Sequence, residues 1–123
     1  MLHIICIKVM KLYRDMARMY IFVNSDLAMD KGKACTQVGH AVQRMMEVFL
    51  LHGRYTAEYN RWRDNGCTKI TLKATAQQIR ELSLRPEAVY VVDAGLTQLP
   101  AGSLTVVCFP PLEDLEFKGY KLY

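Results

Sequence analysis

The chain has 123 residues, of which 51% are hydrophobic and 23% charged, and its formal charge is +4. This length provides for one hydrophobic core and excludes two domains of ordinary size, and the composition excludes a disordered or fibrous protein. The small positive charge fits an anionic partner, but it fits a solvated surface with a few extra lysines equally well, so charge alone identifies no partner.

Residues 1–18 form a basic segment with four basic side chains and one acid, Asp15. Its apolar run, Leu2 to Ile7, comes before the charges, whereas a secretory signal has the opposite order, and no stretch of the chain reaches transmembrane length. A mitochondrial presequence is the alternative, but the segment lacks serine and contains an acid. We therefore predict a basic extension at 1–18, a single domain at 19–123, and a cytoplasmic protein that engages no membrane.

The next two elements are a short strand and a long helix. Met19 to Asn24 is an apolar run of the kind that forms a buried strand in an α/β sheet. A basic turn, Lys31-Gly32-Lys33, then leads into a helix that we expect to continue to Leu51 or His52 and to stop at Gly53. At about 100° per residue this helix has one polar stripe beside an apolar face. The stripe consists of Lys33, Gln37, His40 and Arg44.

Several residues of this helix need their own explanation. Lys31 and Lys33 oppose the helix dipole near its start, which a nearby anion would explain, as would two solvated lysines at a loop. Gly39 costs roughly 1 kcal/mol relative to alanine, so we expect it to admit a close backbone neighbour. Val38 and Phe49 of this helix are expected to be buried, as are Val91 and Val107 later in the chain.

The middle of the chain predicts a helix, a strand and a second short helix. Ala57–Asn65 is the first helix, with Thr56 as its N-cap. Thr68–Ala74 alternates polar and apolar residues, which indicates a strand with one exposed face. Thr75-x-x-Gln78 is a capping box that opens a helix, and Pro86 prevents its continuation.

The last third of the chain supplies the remaining strands. Ala88 to Val92 is a continuous apolar run, which predicts a central strand buried on both faces and ending at Asp93. Ligands of α/β folds bind at such carboxyl ends. We expect the turn at Lys31 to lie beside this strand end, because the polar stripe and the strand end otherwise have no shared use. Ser103–Phe109 predicts another strand, Leu112–Phe117 a short helix, and Lys118–Tyr123 a tail that docks on the sheet. The fold class is α/β, a single three-layer domain with a mixed sheet of about four strands and helices on both faces.

Four cysteines are spread along the chain without a Cys-x-x-Cys pair: Cys6, Cys35, Cys67 and Cys108. Cys35 and Cys108 lie in apolar patterns, so we expect buried, reduced thiols. The three histidines are too scattered to complete a metal cluster. The sequence therefore predicts no metal and no cofactor.

Several short motifs occur in a fixed order from Met19 to Tyr123. They are Tyr20–Leu27, Lys31-Gly32-Lys33, Gln37, His40-Ala41, Asp93-Ala94-Gly95, Thr97-Gln98, Gly102 and Lys121-Leu122. In this order and spacing they resemble the type-II peptidyl-tRNA hydrolases, the archaeal and eukaryotic kind.

This resemblance implies hydrolysis of peptidyl-tRNA to free tRNA and peptide, and assembly as a homodimer. It implies four catalytic residues, which are Lys33, Gln37, Asp93 and Thr97. We take the surrounding polar residues as substrate-binding and tRNA-binding candidates, which are Lys31, His40, Arg44, Gln98, Ser103 and Thr105.

The reaction would be attack of water on the ester that joins the peptide to the terminal ribose. Positioning that water and stabilising the oxyanion need neither a metal nor a covalent intermediate. Asp93 would act as general base, or would orient the water and Lys33, and a carboxylate beside Lys33 should have a lowered pKa. Lys33 and Gln37 would stabilise the oxyanion or hold the terminal adenosine, while Thr97 would position the water.

Other interpretations of these residues remain. Asp93 before Ala-Gly is also typical of a turn former whose side chain bonds to its own backbone. His40 also fits a hydrogen-bonded structural residue. The whole chain also fits a non-catalytic module that binds tRNA or a protein on the same fold, or an unrelated α/β domain that binds a small molecule.

Three positions depart from the family pattern. Asn24, Ala28 and Leu96 stand where the resemblance implies basic residues, so each removes positive charge near the implied site. The four implied catalytic residues are intact, and we therefore expect weakened tRNA affinity rather than lost chemistry. This expectation assumes that Leu96 faces the ligand and does not fill the core.

Overall fold

The structure is a computed structural model, and it describes residues 17–96 and 99–123. In this part of the chain the helices and strands are β1 (Met19–Asn24), α1 (Lys31–Leu50), α2 (Thr56–Asp64), β2 (Lys69–Ala74), α3 (Ala76–Ser83), β3 (Val89–Val92) and β4 (Leu104–Cys108). None of the helices in these ranges has the length and apolar character that crossing a bilayer requires.

The four strands form one mixed sheet in the order β2-β1-β4-β3. β1 and β2 are parallel, joined by a crossover through α1 and α2, whereas β4 is antiparallel to both β1 and β3. A crossover of this kind is the usual connection between parallel neighbours. The predicted mixed sheet of four strands is confirmed.

The side chains of β1 point alternately to the two faces of the sheet, so they belong to two separate parts of the hydrophobic core. Ile21 and Val23 pack with Met45 and Phe49 of α1, while Phe22 points to the opposite face. There it packs with residues of α3, including Ile79. Successive side chains of a strand point to opposite faces, so a central strand with helices on both sides is apolar throughout. The predicted three-layer arrangement is confirmed.

Side-chain caps fix where two helices begin. The Asp30 carboxylate accepts a hydrogen bond from the Lys33 backbone N–H at 2.8 Å, which places Lys33 in the first turn of α1. Thr75 and Gln78 form the predicted capping box of α3. Each cap satisfies backbone donors that have no partner inside the helix.

The position of β3 differs from the prediction. It is an edge strand, because β4 lies between it and β1 and, within residues 17–96 and 99–123, no strand pairs with its other side. Val91 is buried against α1, but Tyr90 and Val92 on the opposite face are 47% and 45% exposed. The prediction of a central strand buried on both faces is therefore wrong: α3 packs on β4, β1 and β2 instead.

Two smaller elements also differ. The N-cap of α2 is Tyr55, which adopts the left-handed conformation at φ 56°, and Thr56 is the first helical residue. Residues 112–117 contain a turn and not the predicted helix, and Phe117 at the end of this segment packs edge-on against Phe22 on the sheet. The predicted docking of the tail is confirmed, since the Lys73 N–H donates to the Lys121 carbonyl.

Burial of individual side chains agrees with the prediction in part. Phe49, Val91 and Val107 are buried as predicted, whereas Val38 is only partly buried. Cys108 is buried and free, and its burial raises its pKa to about 12, so this thiol is unreactive. Cys35 is exposed, which contradicts the prediction of a buried thiol. It sits on α1 beyond the arc that faces the sheet.

The predicted basic extension stays a prediction, because residues 1–16 lie outside the described part of the chain. The first described residue, Ala17, is buried with the core on the α1 side of the sheet.

Gly39 gives a direct test of the packing of α1. A Cβ at this exposed position would meet nothing within 4 Å, so the predicted close backbone neighbour is wrong. Gly39→Ala should raise the free energy of unfolding by roughly 0.5–1 kcal/mol, because alanine loses less conformational entropy in a helix. Denaturant unfolding measures this change.

Gly95→Ala is the matched control. Gly95 has a φ of 79°, and a Cβ there would lie 2.7 Å from the Ala101 nitrogen, so this variant should lose stability. A Gly39→Ala protein that is less stable than the wild type would contradict the account of α1.

Candidate functional site

The site begins where β3 ends. Val91 and Asp93 are two residues apart, so they point to the same face of the sheet, toward α1. The Asp93 backbone N–H donates to the Ser103 carbonyl at 2.8 Å, and its carbonyl accepts from the Gly102 N–H at 2.9 Å. These two bonds close the loop between β3 and β4 and fix the backbone that carries the carboxylate.

Two side chains of α1 meet this carboxylate. Lys33 and Gln37 are four residues apart and therefore lie on the same face of the helix. Lys33 Nζ lies 2.5 Å from Asp93 Oδ1, and Gln37 Nε2 donates to the same oxygen at 3.0 Å. The predicted proximity of Lys33 and Asp93 is confirmed.

The second carboxylate oxygen is also occupied. Asp93 Oδ2 accepts a hydrogen bond from the Gly95 backbone N–H at 2.8 Å. Asp93 is therefore a turn former and a partner of Lys33 at once, so the two interpretations of its role are compatible. Asp93 is 5% exposed, Gln37 is 3% exposed, and the Lys33 side chain is 14% exposed. A charge this shielded is stable only when it is paired and hydrogen-bonded.

These contacts determine the protonation state of Asp93. The hydrogen bond from Lys33 lowers its pKa most, the Gly95 N–H lowers it further, and burial acts in the opposite direction without overcoming them. The predicted lowering of the pKa is confirmed. Asp93 is therefore ionised at neutral pH and is a weak base, which makes it suited to hold Lys33 and Gln37 in place.

A cavity of about 350 Å³ opens beside this cluster. Its polar lining consists of Lys33, Thr36, Gln37, His40, Arg44 and Asp93. All four members of the predicted polar stripe thus face one space. Thr36 was not among the predicted residues, although its spacing on α1, three residues after Lys33 and four before His40, places it beside the polar stripe.

Arg44 and Leu96 lie at the sides of this cavity. Arg44 Nη1 donates to the Tyr90 carbonyl, which ties α1 to the edge strand. Leu96 is 87% exposed and lines the cavity, so the expectation that it does not fill the core is confirmed. His40 is exposed and lines the same cavity.

Other predicted binding residues lie elsewhere. Lys31 lines a separate, more apolar cavity of about 460 Å³ on the other side of α1. Thr105 is fully buried, and its hydroxyl donates to the Val91 carbonyl, so it supports β3. This burial prevents the contact with a ligand that was predicted for Thr105. The Ser103 hydroxyl donates to the Pro100 carbonyl. Thr97 and Gln98 lie outside the described residues, and their roles stay predictions.

Asn24 has a structural role. It is 5% exposed, its amide donates to the Leu104 carbonyl at 2.9 Å, and its side-chain oxygen accepts from the Asp26 N–H. It therefore joins the end of β1 to β4. Ala28 is exposed. Within the described residues no three His, Cys, Asp or Glu side chains are grouped so that they could hold a metal ion.

Comparison with known proteins identifies the family. The family model for peptidyl-tRNA hydrolase PTH2 matches residues 17–120. A peptidyl-tRNA hydrolase of Pyrobaculum aerophilum is 35% identical over 104 residues, which cover 79% of this chain and 86% of that protein. A probable peptidyl-tRNA hydrolase 2 of Dictyostelium discoideum is 33% identical over 114 residues, covering 84% of this chain and 53% of that protein.

A third relative has the same name as the first and a similar identity. A peptidyl-tRNA hydrolase of Saccharolobus islandicus is 32% identical over 109 residues, covering 80% of this chain and 89% of that protein. The chain therefore belongs to the peptidyl-tRNA hydrolase PTH2 family.

The low pKa of Asp93 predicts how stability depends on pH. Because the folded pKa lies below the unfolded value, Asp93 contributes stability above about pH 3.9, and this contribution disappears as the pH falls through the folded value. The free energy of unfolding should therefore differ between wild type and Asp93→Asn by a constant amount from pH 7 to about pH 5. The difference should shrink at lower pH.

Urea unfolding of the wild type and of Asp93→Asn, from pH 7 to below pH 5, measures the difference in their free energies of unfolding. A difference that already shrinks between pH 7 and pH 5 would mean a raised pKa and would contradict the assignment of Asp93 as a carboxylate that stays charged over this range.

Proposed function

We propose that this chain hydrolyses the ester bond of peptidyl-tRNA and releases free tRNA and peptide. Membership of the PTH2 family supports this function. The observation that carries the proposal is the shielded contact between Lys33 and Asp93 at the wall of the cavity. It places a fixed positive charge where an ester carbonyl could enter.

In this mechanism the protein stabilises the transition state and forms no covalent bond with the substrate. Attack of water on the ester carbonyl carbon places negative charge on the carbonyl oxygen, and the Lys33 ammonium group stabilises that charge. Collapse of this intermediate breaks the bond to the ribose oxygen, which leaves as a hydroxyl after it gains the proton that the attacking water loses. Asp93 keeps Lys33 oriented before the substrate arrives, so little reorganisation is needed during the reaction. The Gln37 amide is anchored by the same carboxylate, and its oxygen can accept a hydrogen bond from the attacking water.

We further propose that the reaction needs no metal ion. The role that a metal would have, stabilising the developing oxyanion, is assigned here to Lys33. The ester of an aminoacylated ribose is activated, so one well-placed cation and an oriented water are sufficient chemistry.

Lys33→Ala tests the site. It should lower kcat on an N-acetyl-aminoacyl-tRNA about 10²- to 10³-fold, the usual cost of removing one group that stabilises the oxyanion. Lys118→Ala is the matched control, because the Lys118 side chain is 91% exposed and lies in the tail. It removes the same charge and should leave kcat unchanged.

The outcomes separate the function from the site assignment. Cleavage that survives Lys33→Ala would contradict the role of Lys33. A folded wild-type protein that binds tRNA but does not cleave it would favour a non-catalytic binding module.

Leu96→Arg tests the effect of the missing basic residues on tRNA affinity. Since Leu96 is exposed beside the cavity, an arginine there would lie in water near the tRNA phosphates. Each new phosphate contact should tighten binding and steepen the slope of log K against log salt by roughly 0.7–0.9. The rate at saturating substrate should change little.

Leu84→Arg is the control for added charge. Leu84 is 84% exposed and follows α3, in the layer opposite to α1. Binding isotherms across a salt series compare the two variants. A folded Leu96→Arg protein with the wild-type slope would show that this position does not contact tRNA.

We also propose that the chain is a homodimer and acts in the cytoplasm. Exposed apolar side chains at the end of α1, Leu50 and Leu51, provide surface that a second copy would cover. The cysteines of the described ranges are free, as expected in a reducing compartment. A monomer mass in light scattering at working concentration would reject the dimer.

A further inference from the structure

β3 presents main-chain hydrogen-bonding groups along its outer edge. In a strand, the N–H and C=O of one residue point to the same side, and successive residues alternate sides. The Val91 carbonyl accepts from Thr105, and both main-chain groups of Asp93 bond to the segment that leads into β4. Tyr90 and Val92 therefore direct their N–H and C=O groups away from β4.

Arg44 contacts one of these outward groups. Its guanidinium donates to the Tyr90 carbonyl. A carbonyl oxygen has two lone pairs, so this acceptor can take a second hydrogen bond. Within residues 17–96 and 99–123 no strand pairs with this edge of the sheet.

We propose that the outer edge of β3 binds the peptide part of the substrate as an added strand, parallel to β3. This inference rests on the proposed hydrolysis of peptidyl-tRNA and specifies how the peptide is recognised. Addition of an extended peptide to a sheet edge is a known mode of recognition in which main-chain hydrogen bonds supply the affinity.

The position of the edge relative to the site supports this occupant. Val91, Val92 and Asp93 all line the cavity that contains Lys33, so the edge leads into the site without a gap. The esterified residue is the last of the peptide and must lie at Lys33. A peptide that runs parallel to β3 brings its carboxyl end to the end of β3, which is Asp93.

The chemistry of the substrate supports it as well. Peptidyl-tRNAs share a peptide backbone and differ in their side chains, so main-chain hydrogen bonds are the contacts that all of them can form. From Val89 to Asp93 the strand spans about 13 Å at roughly 3.3 Å per residue, which is enough for about four residues of peptide. The exposed side chains of Tyr90 and Val92 add apolar contact beside this edge.

Substrate length provides the first measurement. kcat/KM is compared for N-acetyl-aminoacyl-tRNA and N-acetyl-tetrapeptidyl-tRNA with the same last residue. The wild type should prefer the longer substrate, by roughly two- to tenfold for each main-chain hydrogen bond gained. Equal values would overturn this inference and leave the hydrolase function intact, whereas no cleavage of either substrate would contradict the proposed function itself.

N-methylation of the peptide tests strand pairing without changing the protein. A strand pairs through alternate residues, so methylating residues 2 and 4 from the ester, or residues 1 and 3, should give different results. One set should abolish the length preference and the other should retain it. Equal effects of the two sets would contradict strand addition.

Tyr90→Pro tests the same edge from the protein side. Proline removes the outward N–H and is tolerated on an edge strand. The variant should cleave N-acetyl-aminoacyl-tRNA like the wild type and lose its preference for the tetrapeptide. Tyr90→Val is the matched control, because it also changes the side chain but keeps the N–H, and it should retain the preference.

Two further outcomes of the Tyr90→Pro experiment would contradict peptide binding at this edge. A folded Tyr90→Pro protein that keeps the length preference would overturn the inference. So would a Tyr90→Pro protein whose only change is a lower molecular mass in solution, because that result would assign the edge to a second copy of the chain.

Discussion

The geometry of the site depends on one constraint. The Asp93 carboxylate is shielded from water, so it must keep the groups that pair with its charge and hydrogen-bond to its oxygens. Lys33, Gln37 and the Gly95 N–H together satisfy both of its oxygens. Removing one partner of such a charge leaves the other uncompensated, which is costly. The relative position of α1 and the end of β3 is therefore fixed by the same contacts that hold Lys33, so the fold and the geometry of the candidate site cannot vary independently.

Much of this arrangement could be predicted from the sequence because it is local. The spacing of Lys33 and Gln37 places both on one face of a helix, and an acid after an apolar run places Asp93 at the end of a strand. The capping box at Thr75 likewise depends only on neighbouring residues. The family resemblance then identified which helix face and which strand end belong together, and the contact between Lys33 and Asp93 confirmed this.

What could not be predicted depends on long-range pairing or on packing in three dimensions. The apolar run of β3 suggested a central strand, yet strand order is set by β4 inserting between β1 and β3, which no local pattern shows. Thr105 has a residue type suited to binding, but its position in the centre of the sheet directs its hydroxyl to Val91. Gly39 was expected to mark a close contact and instead lies on the open side of α1.

The central claim is that Lys33 and Asp93 act as one unit in hydrolysis, and a double-mutant cycle tests it most directly. kcat/KM is measured for Lys33→Ala, Asp93→Asn and the double variant on one peptidyl-tRNA. If Asp93 acts by holding Lys33, the double variant should lose no more activity than Lys33→Ala alone. Losses that multiply in the double variant would show that Asp93 acts independently, and would contradict this account.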